Sequence, residues 1–183
     1  MGKEKFEEYL KSQKATKNEA INWELKKEEW LKEIDTFLKQ IKCYFENYKE
    51  SVVIKEQSLT INEEYLGSYT SKKLIVRFNN DTVTFTPIGR NIIGAKGRVD
   101  MEGKAGKVKF VLVGENSQSP QIMTTIITNE QEQKDYDEKM RNMDEIAKQE
   151  KNAWKISTPP PKIKYIELDE NSFFDALMEV ING

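Results

Sequence analysis

The spacing of apolar residues divides the chain into a helical beginning, a β-rich middle and a helical end. Trp30, Leu31, Ile34, Phe37, Leu38, Ile41, Phe45 and Tyr48 recur at intervals of three and four, the period that places side chains on one face of an α-helix. Thr16-x-x-Glu19 has the form of a capping box, in which each side chain satisfies a free N–H of the first turn, so it predicts the start of this helix. Ahead of it, Phe6, Tyr9 and Leu10 suggest a short preceding helix dominated by Lys and Glu. Trp23 falls in the first turns, placed to pack on the body or on a partner. Cys43 lies about 140–200° from the apolar stripe at ~100° per residue, the position of a small bystander.

From Ser51 onward the period changes to two. The β-prone pieces VVI and LTI fall between Ser51 and Glu63, and Gly67 marks a turn. Leu74, Val76 and Phe78 alternate with Ile75 and Arg77, and Val83 and Phe85 alternate with threonines. With Asn80-Asp81 as a two-residue turn, Phe78 faces Val83 and Val76 faces Phe85, all on one side of a sheet. A second hairpin follows around Gly103-Lys104-Ala105-Gly106. Counting outward, Glu102 opposes Lys107, Met101 opposes Val108, Asp100 opposes Lys109 and Val99 opposes Phe110. One face of this pair is apolar, and the other carries two cross-strand pairs of opposite charge.

Ile122 to Thr128 reads as another strand, and Asn129 to Asn152 as a charged helix or a mobile insertion. Apolar character resumes at Trp154-Lys155-Ile156. Pro159-Pro160-Pro161 then forces an extended connection. Lys162 to Leu168 reads as a last strand. Ser172-x-x-Asp175 is expected to cap a final helix that docks through Phe174, Leu177, Met178 and Ile181. The expected architecture is α+β: a mainly antiparallel twisted sheet of five to seven strands, with a long N-terminal helix and a C-terminal helix packed on it. Residues 1–50 form the helical region and 51–183 the sheet domain, with 129–153 as the charged insertion.

Charge refines this picture. Lys72 to Lys109 holds nine basic residues against three acidic ones, a local net charge of +6, and Phe110 to Ala153 holds five against nine. The whole chain nearly balances at −2, so neither a strongly basic nucleic-acid binder nor an acidic disordered chain is expected. The basic excess marks Arg90, Lys96, Arg98, Lys72 and Lys73 as candidate anion- or partner-binding residues. In the competing account, lysines on exposed strands keep the sheet soluble and discourage edge pairing. The acidic Glu130–Glu150 stretch lying against the basic sheet is a third account.

Catalytic chemistry has few supports. The chain contains no histidine and one cysteine, which removes Ser-His and Cys-His nucleophile pairs, an internal disulfide and multi-cysteine metal sites. The set Asp81, Asp100, Glu102 and Lys104 resembles the metal-binding core of restriction-type nucleases, in which two carboxylates hold a divalent ion and a lysine helps activate water. The hairpin register accounts for Asp100 and Glu102 as cross-strand partners of lysines. Gly89-x4-Gly94 is followed by Ala95 before Lys96, so it does not make a Walker A loop. Gly89, Gly94, Gly97, Gly103 and Gly106 instead suit turns and bulges.

The terminus MGKEKFEEYLKSQK has no apolar h-region, and no run approaches the ~20 apolar residues of a membrane span. A cytoplasmic, bacterial-type protein without a cofactor is expected. The expected function is non-catalytic protein–protein interaction, as an adaptor, inhibitor or immunity-like factor, with another protein or a second copy engaged through the N-terminal helix. Binding of nucleic acid or another polyanion on the sheet around residues 72–109 is the alternative, and a metal-dependent nuclease the weaker one.

Overall fold

The computed structural model of the protein describes residues 2–90, 92, 94–120 and 150–183. Seven strands follow one another in space as they do in sequence: β1 (Val52–Glu63), β2 (Gly67–Phe78), β3 (Asp81–Gly89), β4 (Gly97–Glu102), β5 (Lys107–Gly114), β6 (Asn152–Ser157) and β7 (Tyr165–Glu167). Every neighbouring pair is antiparallel. Helix α1 (Gly2–Tyr44) precedes the sheet through a 3-10 turn (Glu46–Tyr48), and helix α2 (Glu170–Asn182) follows it. The expected α+β class and antiparallel sheet are both present. The strand expected over 122–128 and the insertion expected over 129–153 lie outside the described residues, apart from 150–153.

Both helices cover one face. Phe37 of α1 packs on Phe110 and Trp154 at 5.1 and 4.6 Å between ring centroids, and Phe173 of α2 packs on Phe85 at 6.1 Å. The strand register places Phe85, Met101 and Val108 in one row and Val99, Phe110 and Ile156 in the next. Together with Trp30, Ile34, Leu38 and Ile41 these form a single continuous core. Burying each such side chain contributes about 1.5–3 kcal/mol. The 3.6-residue stripe in α1 therefore packs on the 2-residue stripes of the strands.

Several local expectations are corrected. Helix α1 runs unbroken through Thr16, because nothing in that stretch turns the chain away and a helix with no terminus needs no cap. The β2–β3 turn is Asn79-Asn80, with Phe78 opposite Asp81, Val76 opposite Val83 and Leu74 opposite Phe85. Asn79 takes the positive φ of 52°, which asparagine tolerates. The shift is two residues, so the apolar sets still share a face. Helix α2 is capped by Asp169, whose carboxylate accepts from the Ser172 N–H at 2.8 Å while Ser172 answers at the Asp169 N–H. Its buried stripe is Phe173, Ala176, Leu177, Val180 and Ile181, and Met178 is exposed. The β4–β5 register matches expectation at every position.

Two backbone features shape the sheet. Pro87 sits in a central strand, at a bulge where Pro87 and Gly89 oppose the adjacent Val99 and Arg98, a place where the missing N–H costs little. In the β1–β2 ribbon the inward-facing parity changes with pairing uninterrupted. Leu74 and Val76 are buried in one half, and Ile61, Tyr69 and Ser71 in the other. The change occurs at matching points in both strands, so the whole ribbon turns about its axis, as two-stranded ribbons with strong twist do.

Candidate functional site

The outer face of the sheet, opposite the helices, carries most of the charged residues that the sequence singles out. Asp100 is its most buried acid, 3% exposed. Both of its oxygens accept from Arg98, at 2.6 Å from Nε and 2.7 Å from Nη2. Lys107 adds an ion pair at 3.6 Å to Asp100 and another at 3.2 Å to Glu102. The Asp100 carboxylate raises the Arg98 pKa above its ordinary value, and Glu102 does the same for Lys107. Lys109 is the cross-strand neighbour of Asp100, but the ion pairs expected with it go to Arg98 and Lys107. Arg98 lies two residues away on the same strand face, and its planar fork matches a carboxylate at both oxygens.

The four residues of the nuclease-like set fall into two places. Asp100 and Glu102 alternate on β4, while Lys104 leaves the strand and pairs with Asp81 at 2.8 Å. Among the described residues no three His, Cys, Asp or Glu side chains converge in a metal-holding group.

Farther across the same face, Lys155 is 2% exposed. Its ammonium donates to the Glu115 carbonyl at 2.6 Å, to the Ser117 carbonyl at 3.0 Å and to the Glu167 carboxylate. All three donors are thereby used, which is the condition for burying an ammonium without a large desolvation cost. This lysine ties the segment after β5 down onto β6 and β7. Sequence reading placed it in an apolar run and missed it; the alternation of Trp154 and Ile156 about it was the available signal.

The five candidate anion-binding residues do not share one surface. Arg90 reaches the helix side, where its guanidinium meets Glu29 of α1 at 3.3 Å. Lys96 lies just before β4 and donates to Asn152 at 2.8 Å. Lys72 pairs with Glu56 at 3.2 Å, and Glu56 also accepts from Lys42 of α1. Arg98 is held by Asp100. Lys73 is the exception: it lies on the outer face of β2 and has no ion pair among the described residues. Lys55 and Arg77, which the sequence reading did not single out as a site, accompany it on that face of β1 and β2.

Two further surfaces stand open. Beside β1, the end of α1 and the start of the strand enclose a recess of ≈ 500 Å³, walled in part by Phe45, Val52 and Ile54. At the other end of the molecule, Phe6 and Tyr9 of α1 are 59% and 57% exposed. Between them and the buried stripe of α1, Trp23 stacks on Tyr65 of the β1–β2 turn at 5.1 Å. Among the described residues no helix is long and apolar enough to cross a membrane. No family model, no curated protein and no solved structure matches the chain.

Proposed function

We propose that the protein is a non-catalytic interaction module that engages another protein through the N-terminal part of α1. The observation that carries this reading is the exposure of Phe6 and Tyr9, one turn apart on a helix in which, among the residues whose burial is described, the first buried one is Trp30. Helix α1 has 43 residues, and at ~1.5 Å per residue that is about 65 Å, roughly twice the ~30 Å width of seven strands spaced ~4.8 Å apart. A helix in water draws most of its stability from packing of one face. Two large aromatic side chains on its distal part supply such a face for a partner.

The polyanion reading has less support. Lys72, Arg90, Arg98, Lys104 and Lys107 each already face a carboxylate, and neutralised cations release few counterions on binding. The test is a comparison of wild type with Phe6→Glu/Tyr9→Glu in affinity capture and in sizing of the purified chain. A specific protein companion, or self-association, that is lost in the double variant with an unchanged thermal transition is the expected result. Identical companions and size for both proteins, with steep salt-dependent retention on DNA, would favour the polyanion surface instead.

A further inference from the structure

We propose that the free edge of β1 is a docking site for an extended peptide segment of a partner protein, with apolar and acidic residues in alternation. Among the described residues β1 is the outermost strand, and only its β2 side is paired. The N–H and C=O groups along the other side form an open template for one more strand. At twelve residues β1 is about twice the usual strand length. The opposite edge, β7, has three.

Side chains on the two faces select the composition of the added strand. On the helix side, a recess whose apolar wall is Phe45, Val52 and Ile54 and whose rim carries the Lys42–Glu56 and Lys49–Glu46 ion pairs borders β1, and its apolar wall accepts apolar side chains from alternate positions. On the outer side, the register places Val53 opposite Arg77, Lys55 opposite Ile75 and Gln57 opposite Lys73. Val53 is 55% exposed, and none of Lys55, Lys73 and Arg77 is in an ion pair among the described residues. Lys55 thus stands on the edge strand itself, with Lys73 and Arg77 one strand further in, and among the described residues none of the three is in an ion pair, in a protein whose other strand cations are mostly neutralised. A strand carrying Asp or Glu at its outward positions sets a carboxylate beside Lys55, the favourable cross-strand arrangement of opposite charges, and adds negative charge within about a Debye length of Lys73 and Arg77, one strand further in. The acids and apolar groups then alternate with the period of a strand. A polynucleotide satisfies the charges but leaves both the backbone edge and the apolar wall of the recess unused. The docking segment is Val52 to Gln57, before the ribbon turns over.

The test uses the full chain and a fluorescent peptide of about seven residues, a usual strand length, with Val and Glu in alternation. Saturable binding is expected, weakened about tenfold in Lys55→Glu/Arg77→Glu by loss of the opposite-charge pairs and weakened further by salt. Two N-methylated peptides test the backbone on the wild-type chain, so the outcome does not depend on the variant folding. Methyl groups along one edge of the peptide should abolish binding, and methyl groups along the other should leave it intact. Equal binding of a peptide with Lys in place of Glu would overturn the proposal, as would indifference to which edge is methylated. So would tighter binding of a single-stranded oligonucleotide lost in the same variant, or a change in oligomeric state showing that a second copy occupies the edge.

Discussion

Gly97 and Trp30 show how much one atom decides. A Cβ built on Gly97 would stand 2.2 Å from the nearest carbon of the Trp30 ring, so only glycine lets β4 and α1 approach this closely. Gly97→Ala should lower stability by about 1–3 kcal/mol through overpacking. Gly106→Ala, where a Cβ meets nothing within 4 Å, is the control and should stay within about 0.5 kcal/mol; urea denaturation of both checks this. The same tryptophan donates to the Tyr69 hydroxyl at 2.8 Å, and that hydroxyl donates to Glu63. Burial, reinforced by the Glu63 carboxylate, pushes the Tyr69 phenol well above its ordinary value. The resulting stability is fully present below the ordinary phenol pKa of about 10 and is lost as pH rises beyond it. The stability advantage of wild type over Tyr69→Phe should therefore narrow above about pH 10; a gap that stays constant through this range would show that Tyr69 ionises equally in both states.

Elements are joined by residues that reach across rather than along the chain. Glu56 of β1 links Lys42 at the end of α1 to Lys72 of β2. These hydrogen bonds, Lys42 first, hold its carboxyl below the usual glutamate range. The linked stability is present above the ordinary glutamate pKa and fades as pH falls through the lowered one. Both Lys42 and Glu56 are more than a third exposed, so solvent screening keeps the contribution small, about 0.5 kcal/mol. Wild type should exceed Glu56→Gln by that margin near pH 7, and the two should converge near pH 3 in thermal melts. Helix α2 shows how an element's ends and face are set. In Asp169-Glu170-Asn171-Ser172, Asp169 and Ser172 both suit an N-cap by residue type. Asp169 is the cap, and of the expected docking residues Leu177 and Ile181 are buried, Phe174 packs partly buried against the core and Met178 is exposed, while Phe173, Ala176 and Val180 complete the buried stripe.

For the molecule as a whole, the sequential strand order places the most neighbours around β3, β4 and β5. Val83, Phe85, Val99, Met101 and Phe110 are fully buried there beneath α1 and α2. Amide hydrogen exchange should be slowest in these three strands and fast along β1, whose outer edge is unpaired among the described residues; equal protection in β1 would mean that its edge is covered. The apolar face of α1 from Trp30 to Ile41, continued by Phe45 just past its end, and the whole β4–β5 register were legible in the sequence. Each follows from a local period, 3.6 or 2, anchored by a nearby turn. The β2–β3 hairpin was legible in face but not in turn, because Asn79, Asn80 and Asp81 all accept turn conformations. The outer-face charges were legible as a composition only. Which cation meets which carboxylate depends on reach between strands and helices, so Arg98 was read as a candidate anion-binding residue although Asp100 binds it along its own strand. The sequence by itself thus determined the class of the fold and the faces of its main elements, since side-chain periodicity is a local property. Only the tertiary structure decided that Lys155 is buried with all its donors used and that, among the described residues, Lys55 on the edge strand and Lys73 and Arg77 on its neighbour have no ion pair, because burial and charge pairing are set by residues distant in the chain.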